Sequence, residues 1–259
     1  MDLQINGLRV LVTAGAAGIG LKTVQAFLRE GAKVHACDVD QAALATVGKS
    51  HPEVTVSRTD VSDRAAVAKL LDDALAALGG LDCLVNNAGI AGPTGRVDEI
   101  DPDDWDRTLA VDITGTFNCT RVAVPHIRKS RNGSIINLSS SAGKFGFPLR
   151  SPYSAAKWGV VGVTKTWAME LGEFGVRVNA VLPGIVEGDR IRRVFDAKAK
   201  ERGVPVDELL QNALRQASIK ELVQPTQLAD MIVFLASPLA RTVSGQAISV
   251  DADLQSLVG

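Results

Sequence analysis

Neither basic nor acidic residues are in excess in this sequence. Its 28 lysines and arginines nearly balance its 29 aspartates and glutamates, which leaves a formal net charge of −1 at pH 7. A protein that holds nucleic acid or an anionic membrane by electrostatics carries a basic surface field. The composition therefore predicts neither nucleic acid nor a membrane as a partner.

Cysteine and long apolar runs are also scarce. Cys37, Cys83 and Cys119 lie far apart and match no metal-ligand spacing, so no metal site is predicted. Cys37 and Cys83 fall in apolar stretches, where buried, reduced thiols are typical. No apolar run is long enough to span a membrane, and Met1–Gly7 lacks the basic and apolar segments of a signal peptide. These absences favour a cytoplasmic location.

What the sequence does contain is a regular alternation of strand-like and helix-like segments. Seven short segments are predicted to be strands: Arg9–Val12, Lys33–Cys37, Val54–Val56, Leu81–Val85, Ser134–Leu138, Val176–Val181 and Gln246–Val250. Strict alternation of apolar strands with helices is typical of a parallel sheet covered on both faces. The prediction is an α/β fold with a doubly wound, mostly parallel, seven-stranded sheet, Rossmann-like in architecture.

Helices are predicted between these strands, and the beginnings of two of them can be identified. Ser62 is a suitable N-cap for a helix that reaches Leu78, and Asp101 followed by Pro102 begins a helix towards Ile127. A further helix is predicted over Tyr153–Phe174. No linker-like segment interrupts the alternation beyond residue 150, so residues 1–259 are predicted to form a single domain.

A turn rich in glycine and alanine follows the first predicted strand and begins the first helix. Glycines there let the backbone approach a pyrophosphate, and the helix N-terminus supplies free N–H groups and partial positive charge. Such a turn is a weak signal by itself, but its position between strand and helix favours a dinucleotide site. The candidate residues are Thr13, Gly15, Gly18, Ile19 and Gly20.

Asp38, at the end of the second predicted strand, indicates which dinucleotide is bound. A carboxylate there can accept hydrogen bonds from the adenosine ribose hydroxyls. The same charge opposes a 2′-phosphate, since two unit charges 4 Å apart repel by about 4 kcal/mol at an effective dielectric constant near 20. The neighbouring positions that could offset it hold no Arg or Lys: Ala14, Ala16, Ala17 and Val39. The predicted cofactor is NAD rather than NADP.

The only tyrosine of the chain, Tyr153, lies four residues before Lys157 in a predicted helix, so the two side chains share a face. A phenol ordinarily ionises near pH 10, and a neighbouring ammonium group favours the phenolate. Ser140 lies just beyond the fifth strand, where its hydroxyl could bond a substrate oxygen. An isolated Tyr-x-x-x-Lys is more often structural, but its combination with a dinucleotide turn favours acid/base catalysis.

The sequence resembles the short-chain dehydrogenase/reductase family, of the single-domain type, over nearly its whole length. The motifs that carry the resemblance are Thr13 to Gly20, Asp60-Val61, Asn86-Asn87-Ala88-Gly89, Ser140, Tyr153 with Lys157, Asn179, and Pro183-Gly184. Their number and order make the resemblance highly specific.

This resemblance implies further cofactor-binding residues. Asp60 and Val61 are expected to contact the adenine, and Asn87 and Gly89 to lie under the cofactor. The backbone of Val186 is expected to meet the nicotinamide carboxamide.

Tyr153 and Lys157 are implied to contact the cofactor as well, Lys157 through the nicotinamide ribose. Family members are commonly tetramers that pair the long helices following Asp101 and Tyr153, so a homotetramer is expected.

Three positions depart from the family pattern. Ala14 stands where the first glycine is usual, and Gly188 where a threonine often contacts the cofactor. Asp112 stands where the fourth catalytic residue is usually asparagine, which helps to hold a water molecule near the lysine. An aspartate there favours the ammonium of Lys157 but opposes the phenolate of Tyr153. The sequence alone does not rank these two effects.

The predicted function is NAD-dependent hydride transfer between the nicotinamide ring and a secondary alcohol, for example a polyol, a sugar or a hydroxy acid. Two alternatives remain open. One is a carbonyl or 3-oxoacyl reductase that works in the reductive direction with the same residues. The other is a dinucleotide sensor that has lost its chemistry, against which the intact Ser140, Tyr153 and Lys157 argue.

The segment at about residues 187–216 lies where the family places a substrate lid. Residues 189–202 of this segment contain six basic residues against three acidic ones: Arg190, Arg192, Arg193, Lys198, Lys200 and Arg202 against Asp189, Asp196 and Glu201. This excess is typical either of a solvated helical face or of a lid that favours an anionic substrate. Phe147 favours an apolar group and Arg150 an acid, so the sequence leaves the substrate open.

Overall fold

The computed structural model of the chain describes residues 2–257, apart from the side chain of Arg190. Met1, the first residue of the segment examined for a signal peptide, lies outside this range. Arg190, one of the basic residues of the expected lid, has no described side chain. The seven predicted strands form one sheet: β1 Arg9–Thr13, β2 Lys33–Asp38, β3 Thr55–Arg58, β4 Cys83–Asn86, β5 Ser134–Leu138, β6 Arg177–Pro183 and β7 Ala247–Val250.

All neighbouring strands of this sheet are parallel, in the order β3-β2-β1-β4-β5-β6-β7. The predicted Rossmann-like, seven-stranded sheet is therefore confirmed. The chain runs outward from β1 to β3 and then returns to place β4 on the other side of β1. Ligands of doubly wound sheets bind outside the carboxyl ends of the strands at this reversal.

The helices of the described residues are α1 Gly18–Arg29, α2 Gln41–Ser50, α3 Arg64–Leu78, α4 Pro102–Leu109, α5 Gly115–Ile127, α6 Ser151–Leu171, α7 Asp189–Arg202, α8 Val206–Arg215 and α9 Pro225–Ala236. Among residues 2–257, none of these helices has the length and apolar character needed to cross a bilayer.

The sheet is buried on both faces by two separate apolar clusters. On one face α1, α2 and α9 pack against the sheet, with Phe27, Leu44 and Ile232 in the cluster. On the other face α3, α5 and α6 contribute, among others, Leu70 and Ile127. Because the inner strands are covered on both sides, their residues are buried almost without alternation, whereas the edge strands β3 and β7 are partly exposed.

Two predicted helix details differ from the structure. The helix that begins at Pro102 does not continue regularly to Ile127, because a π-helical segment, Ala110–Thr114, separates α4 from α5. The N-cap of α3 is Asp63, whose carboxylate accepts from the amides of Ala65 and Ala66, so the prediction of Ser62 was wrong by one residue.

Helices α7 and α8 pack around a small apolar cluster of their own, which includes Ile185, Phe195, Leu209 and Ala213. They follow β6 and lie in the segment at about 187–216 for which a lid is expected. Helix α7 begins at Asp189 directly after Gly188, whose φ of 143° is in the region that favours glycine.

Candidate active site

The turn between β1 and α1 contains two residues in the left-handed region, Ala14 with a φ of 49° and Gly18 with a φ of 53°. The turn is packed too tightly for larger residues at two glycines. A Cβ on Gly15 would lie 2.8 Å from the Cβ of Ala36, and one on Gly20 would lie 2.0 Å from the carbonyl oxygen of Ala14. Ala14 therefore keeps the turn of the family pattern in a strained backbone conformation.

We expect the substitution Ala14→Gly to raise the free energy of unfolding by about 1 kcal/mol, because glycine adopts this φ without the clash of a Cβ. Ala45→Gly is the matched control. Ala45 is exposed within α2, so glycine there should lower the free energy of unfolding by about 1 kcal/mol. Urea unfolding measures both values. A loss at Ala14 equal to that at Ala45 would mean that Ala14 is not strained.

Helix α1 begins without a side-chain cap, whereas α2, α3 and α4 each have one. Asp40 caps α2, Asp63 caps α3 and Asp101 caps α4 through their carboxylates. The N-cap of α1 is Ala17, with no side-chain hydrogen bond and no acidic residue in the first turn. The first-turn amides, those of Ile19 and Gly20 included, thus suit the pyrophosphate of a dinucleotide.

Asn87 and Thr13 hold this turn against the end of β4. The Asn87 side-chain amide donates to the carbonyls of Thr13 and Ala14, each at 3.0 Å. The buried Thr13 hydroxyl accepts from the amides of Asn87 and Ala88, at 3.0 and 2.9 Å. In this structure both side chains position the backbone of the nucleotide site, which is a more specific role than the resemblance alone implied.

Asp38 lies half-buried at the end of β2, beside the same turn. Its carboxylate accepts from the amides of Ala16 and Asp40, each at 3.2 Å. Its partner across the sheet is Arg58, whose guanidinium donates to the carbonyl of Val39 at 3.2 Å. The sequence does not indicate Arg58, since its proximity to Asp38 depends on the pairing of β2 with β3.

Asp60 and Val61 follow β3 at this edge. The Asp60 carboxylate accepts from the amide and hydroxyl of Ser62 and pairs with Arg107 at 2.9 Å. Burial favours the neutral acid, but the Ser62 bonds and the Arg107 guanidinium outweigh it and hold the pKa of Asp60 below its usual value. The Val61 carbonyl accepts from Asn118 at 3.0 Å, which fixes the loop to α5.

Lys157 is buried on α6, with only 3% of its surface exposed. Its ammonium group donates to the carbonyl of Leu138, at the end of β5, at 3.1 Å. It also forms an ion pair at 3.1 Å with Oδ2 of Asp112, which is fully buried, although these two atoms are not aligned for a hydrogen bond. Gly89 lies beside the pair, where a Cβ would come within 3.3 Å of both charged groups.

The π-helical segment explains how Asp112 reaches this position. Its wider turn lies between α4 and α5, and Asp112 is in its centre. Oδ1 of Asp112 accepts from the Ile90 amide at 2.7 Å, and its backbone carbonyl accepts from the Thr116 hydroxyl at 2.9 Å. π-Helical bulges are frequent at functional sites. The carboxylate is thus a fixed counter-charge to Lys157.

Tyr153 lies one turn before Lys157 on α6, and its ring centroid is 5.5 Å from the Lys157 ammonium. Ser140 is the N-cap of a short 3₁₀ helix, Ser141–Gly143, and its Oγ accepts from the Ala142 amide at 3.1 Å. A hydroxyl that already accepts one bond still has its proton to donate. The structure brings Tyr153, Lys157 and Asp112 together beside the end of β5. Ser140 lies at the same end, two residues after the last residue of β5.

Val186 lies beyond β6 and forms an isolated parallel bridge with Val223. The two hydrogen bonds of the bridge use the Ile185 carbonyl and the Glu187 amide. The amide and carbonyl of Val186 itself take no part in the bridge, which suits the role expected of its backbone towards a carboxamide. Gly188 offers no side chain, so no threonine-like hydrogen bond is made there.

Two cations lie beside the ring of Phe147, and one of them is also close to Tyr153. The guanidinium of Arg150 donates to the Ala91 carbonyl and lies 5.4 Å from the ring of Phe147 and 5.3 Å from that of Tyr153. The ammonium of Lys198 lies 4.1 Å from the Phe147 ring. Burial, together with the nearby positive charges of Arg150 and Arg202, lowers the pKa of Lys198 to about 7.

The backbone groups of the site could not be found from the sequence. The Leu138 carbonyl and the Ile90 amide hold Lys157 and Asp112, and neither group depends on the type of side chain at its position. Arg107, the partner of Asp60, is an exposed basic residue in α4 that nothing in the sequence singled out.

Comparison with known proteins agrees with this architecture. A family model described as enoyl-(acyl carrier protein) reductase matches residues 14–253. The chain is 36% identical over 260 residues to a 3-oxoacyl-[acyl-carrier-protein] reductase of Thermotoga maritima, covering 97% of this chain and 99% of the relative. It is 38% identical over 245 residues to cis-4-hydroxycyclohexanecarboxylate dehydrogenase of Sinomonas cyclohexanicum, covering 93% and 94%.

Among solved structures, a variant of actinorhodin polyketide ketoreductase with NADPH superposes with a TM-score of 0.89 at 31% identity, covering 94% of this chain and 95% of that one. The family model and both relatives span nearly the whole chain, with the catalytic and nucleotide ends of the sheet included. The chain belongs to the short-chain dehydrogenase/reductase family of oxidoreductases.

Proposed function

We propose that the protein is an NAD-dependent oxidoreductase that transfers a hydride between a secondary alcohol and the nicotinamide ring. The observation that carries the proposal is the buried Lys157 ammonium. It is held by the Leu138 carbonyl and Asp112, and it lies 5.5 Å from the ring of the only tyrosine in the chain. An ammonium group kept in this place stabilises a phenolate and so makes Tyr153 a usable base.

In the oxidative direction, Tyr153 accepts the hydroxyl proton of the alcohol. Ser140 donates its hydroxyl proton to the substrate oxygen and orients it, while its own oxygen is anchored by the Ala142 amide. The Lys157 ammonium group stabilises the negative charge of the Tyr153 phenolate, so that the phenol is ionised before the reaction. In the reductive direction the same groups act in reverse, with Tyr153 as the acid.

The turn after β1 and the first turn of α1 bind the pyrophosphate in this proposal, and Asp38 binds the adenosine ribose. Thr13 and Asn87 keep the turn in place, Val61 borders the adenine, and the backbone of Val186 meets the carboxamide. When bound, NAD supplies the hydride acceptor. The residues present fit this cofactor because α1 leaves its first-turn amides without a side-chain cap.

The preference for NAD is tested by the binding of NADH and NADPH, followed through nicotinamide fluorescence. We expect NADH to bind at least about tenfold more tightly, because Asp38 repels a 2′-phosphate. Asp38→Ser should remove this difference and leave Arg58 to favour the phosphate. Asp40→Asn is the matched control: it removes a neighbouring carboxylate but keeps a residue that caps α2. Equal affinities in the parent protein would contradict NAD specificity.

A reductive role is the second candidate. Two observations favour it: one relative is named a 3-oxoacyl-[acyl-carrier-protein] reductase, and one structural neighbour was solved with NADPH. Asp38 argues against it, since reductive biosynthesis usually draws on NADPH. A screen of alcohols, polyols and sugar acids with NAD, beside a screen of ketones with NADPH, distinguishes the two through absorbance of the reduced nicotinamide.

We also propose a homotetramer in the cytoplasm. Helices α5 and α6 expose Phe117, Trp158 and Met169, with 42%, 51% and 84% of their surfaces accessible, which suits burial against copies of the same helices. The three cysteines are buried, unpaired thiols, which fits a reducing compartment. Sedimentation at micromolar concentration should give a tetramer, and a monomer would contradict the assembly.

A further inference from the structure

Two side chains of the short 3₁₀ helix after Ser140 converge on one buried carboxylate near the other end of the chain. The helix is Ser141–Gly143, with Ser140 as its N-cap and Lys144 as its C-cap. The Lys144 ammonium lies 2.7 Å from Oδ2 of Asp251, and the Ser141 hydroxyl lies 3.3 Å from the same oxygen. From this geometry we propose that Asp251 is a positioning residue, which fixes the turn that presents Ser140 to the substrate. The inference rests on the proposed function, in which Ser140 orients the substrate oxygen.

The spacing of the two side chains follows from the geometry of the helix. A 3₁₀ helix has three residues per turn, so Ser141 and Lys144 lie on one face. A single turn has little stability of its own, because few hydrogen bonds offset the cost of ordering it. Its conformation therefore depends on groups outside it. Besides Asp251, these are the Pro183 carbonyl, 3.1 Å from the Ser141 hydroxyl, and the Ser249 hydroxyl, 2.9 Å from the Lys144 ammonium.

The backbone of Asp251 is held in place on both sides along the chain. Asp251 directly follows Val250, the last residue of β7, whose carbonyl accepts from the Gly184 amide at 3.0 Å. Only 7% of the surface of Asp251 is exposed, and a Cβ on Gly184 would lie 2.6 Å from the Asp251 Cα. Ala252 and Asp253, which come next, have φ values of 59° and 54° in the left-handed region. Strained residues of this kind persist where the surrounding structure requires them.

The left-handed turn after Asp251 pairs with the chain that follows α8, at the end of the expected lid. The Ala252 carbonyl accepts from the Ile219 amide at 3.1 Å, and the Asp253 carbonyl accepts from the Ser218 amide at 3.2 Å. The turn thus lets Asp251 contact the 3₁₀ helix while the next two residues bond the chain beyond α8. The carboxylate is a fixed anchor for the Ser140 turn.

The 3₁₀ helix is also packed against the part of α6 that carries the catalytic lysine. A Cβ on Gly143 would lie 2.5 Å from Oγ of Ser139 and 2.8 Å from the Lys157 carbonyl. A shift of the helix therefore changes the position of Ser140 relative to α6, which also carries Tyr153. Because Ser140 and Tyr153 must meet one substrate oxygen, a small displacement of either should slow the reaction.

The test begins with Asp251→Asn, which keeps the size of the side chain and removes its charge. We expect kcat to fall by about tenfold, because the turn is less well fixed, while NADH affinity changes little. Lys144→Met should lower kcat in the same way. Lys144→Arg keeps a cation for Asp251 and should retain most of the parent kcat. If Asp251→Asn fails to fold, Lys144→Met takes its place in each comparison below.

Asp82→Asn is the matched control. Asp82 is also 7% exposed, and it pairs with Arg9 at 2.7 Å at the amino ends of β1 and β4, on the opposite edge of the sheet. The cations of the two pairs are equally exposed, at 32% of the side chain. Urea unfolding should therefore show similar losses of stability for both substitutions, but only Asp251→Asn should lower kcat. A similar loss of kcat in both variants would overturn the inference.

Combination with Ser140→Ala separates a positioning role from a general loss of structure. If Asp251 acts through Ser140, then Asp251→Asn should have no further effect on kcat once the serine hydroxyl is absent. The same fold loss in both backgrounds would mean that Asp251 only stabilises the fold, which overturns the inference and leaves the proposed function standing. If Ser140→Ala itself leaves kcat unchanged, the proposed role of Ser140 fails and the inference fails with it.

Hydrogen–deuterium exchange supplies a readout that needs no turnover. The amides of Gly143 and Lys144 donate to the carbonyls of Ser140 and Ser141 within the 3₁₀ helix. They should exchange faster in Asp251→Asn than in the parent protein or in Asp82→Asn. Unchanged exchange in Asp251→Asn would overturn the inference. If no alcohol or ketone reacts with the parent protein, it is the proposed function that fails, and the exchange alone decides whether Asp251 holds the turn.

Discussion

Tyr153→Phe should lower kcat by about a hundredfold to ten-thousandfold, since the variant loses the hydroxyl that we propose as the acid and base of the reaction. The ring stays, so its contacts with Arg150 and Lys157 are kept and the fold should be unaffected. NADH affinity, measured by fluorescence, should change by less than about threefold. A small change in binding beside a large change in kcat is typical of a group that acts in the transition state.

The same variant distinguishes the enzyme from a dinucleotide sensor. If Tyr153→Phe binds NADH normally and shows no loss of function, the dinucleotide sensor is supported; a large loss of kcat with unchanged NADH binding supports the enzyme. Lys157→Met provides a comparison, because it removes the ammonium but leaves the phenol. It should lower kcat and also weaken NADH binding, since Lys157 is expected to contact the nicotinamide ribose.

Substitutions of Asp112 should have the next largest effects: Asp112→Ala on the free energy of unfolding and Asp112→Asn on catalysis. Asp112→Ala leaves a buried ammonium without its counter-charge and the Ile90 amide without its acceptor. Removing one partner of a buried ion pair typically costs about 3–5 kcal/mol. Urea unfolding should show a loss of this size. Asp106→Ala, an exposed acid on α4, should change stability by no more than about 0.5 kcal/mol.

Asp112→Asn isolates the effect of the charge on catalysis. The amide keeps the shape of the side chain and still offers an oxygen to Ile90, while the Leu138 carbonyl still holds the Lys157 ammonium. In the parent protein, Asp112 offsets the positive charge beside Tyr153. Without that offset the phenolate is more stable, so the acid limb of the pH–rate profile should move to lower pH. An unchanged profile would mean that the carboxylate is incidental.

The sequence predicted the fold and singled out most of the residues of the candidate site, because both depend on side-chain type and spacing. Apolar strands that alternate with helices define the sheet, and the candidate residues lie close to strand ends, which meet at one edge in a parallel sheet. The pairing of Tyr153 with Lys157 followed from helix geometry in the same way. Asn87 was expected at the cofactor, but its bonds to the turn after β1 depend on which strand lies beside β1.

Other features depend on backbone geometry or on long-range packing. The π-helical segment that places Asp112 against Lys157 has no pattern of side chains that distinguishes it from a regular helix. Arg58 became a neighbour of Asp38 only through strand pairing. The burial of Arg150 and Lys198 on one ring depends on how α7 packs, so the sequence left open whether the basic residues of this segment face solvent or substrate.

The central claim is that Lys157 makes the single phenol of the chain a base at physiological pH. Alkaline ultraviolet difference titration measures it directly, because Tyr153 is the only tyrosine and no other phenol contributes to the signal. With NAD bound, we expect phenolate absorbance to appear at lower pH in the parent protein than in Lys157→Met, which lacks the ammonium group. The same phenolate titration in both proteins would contradict the mechanism.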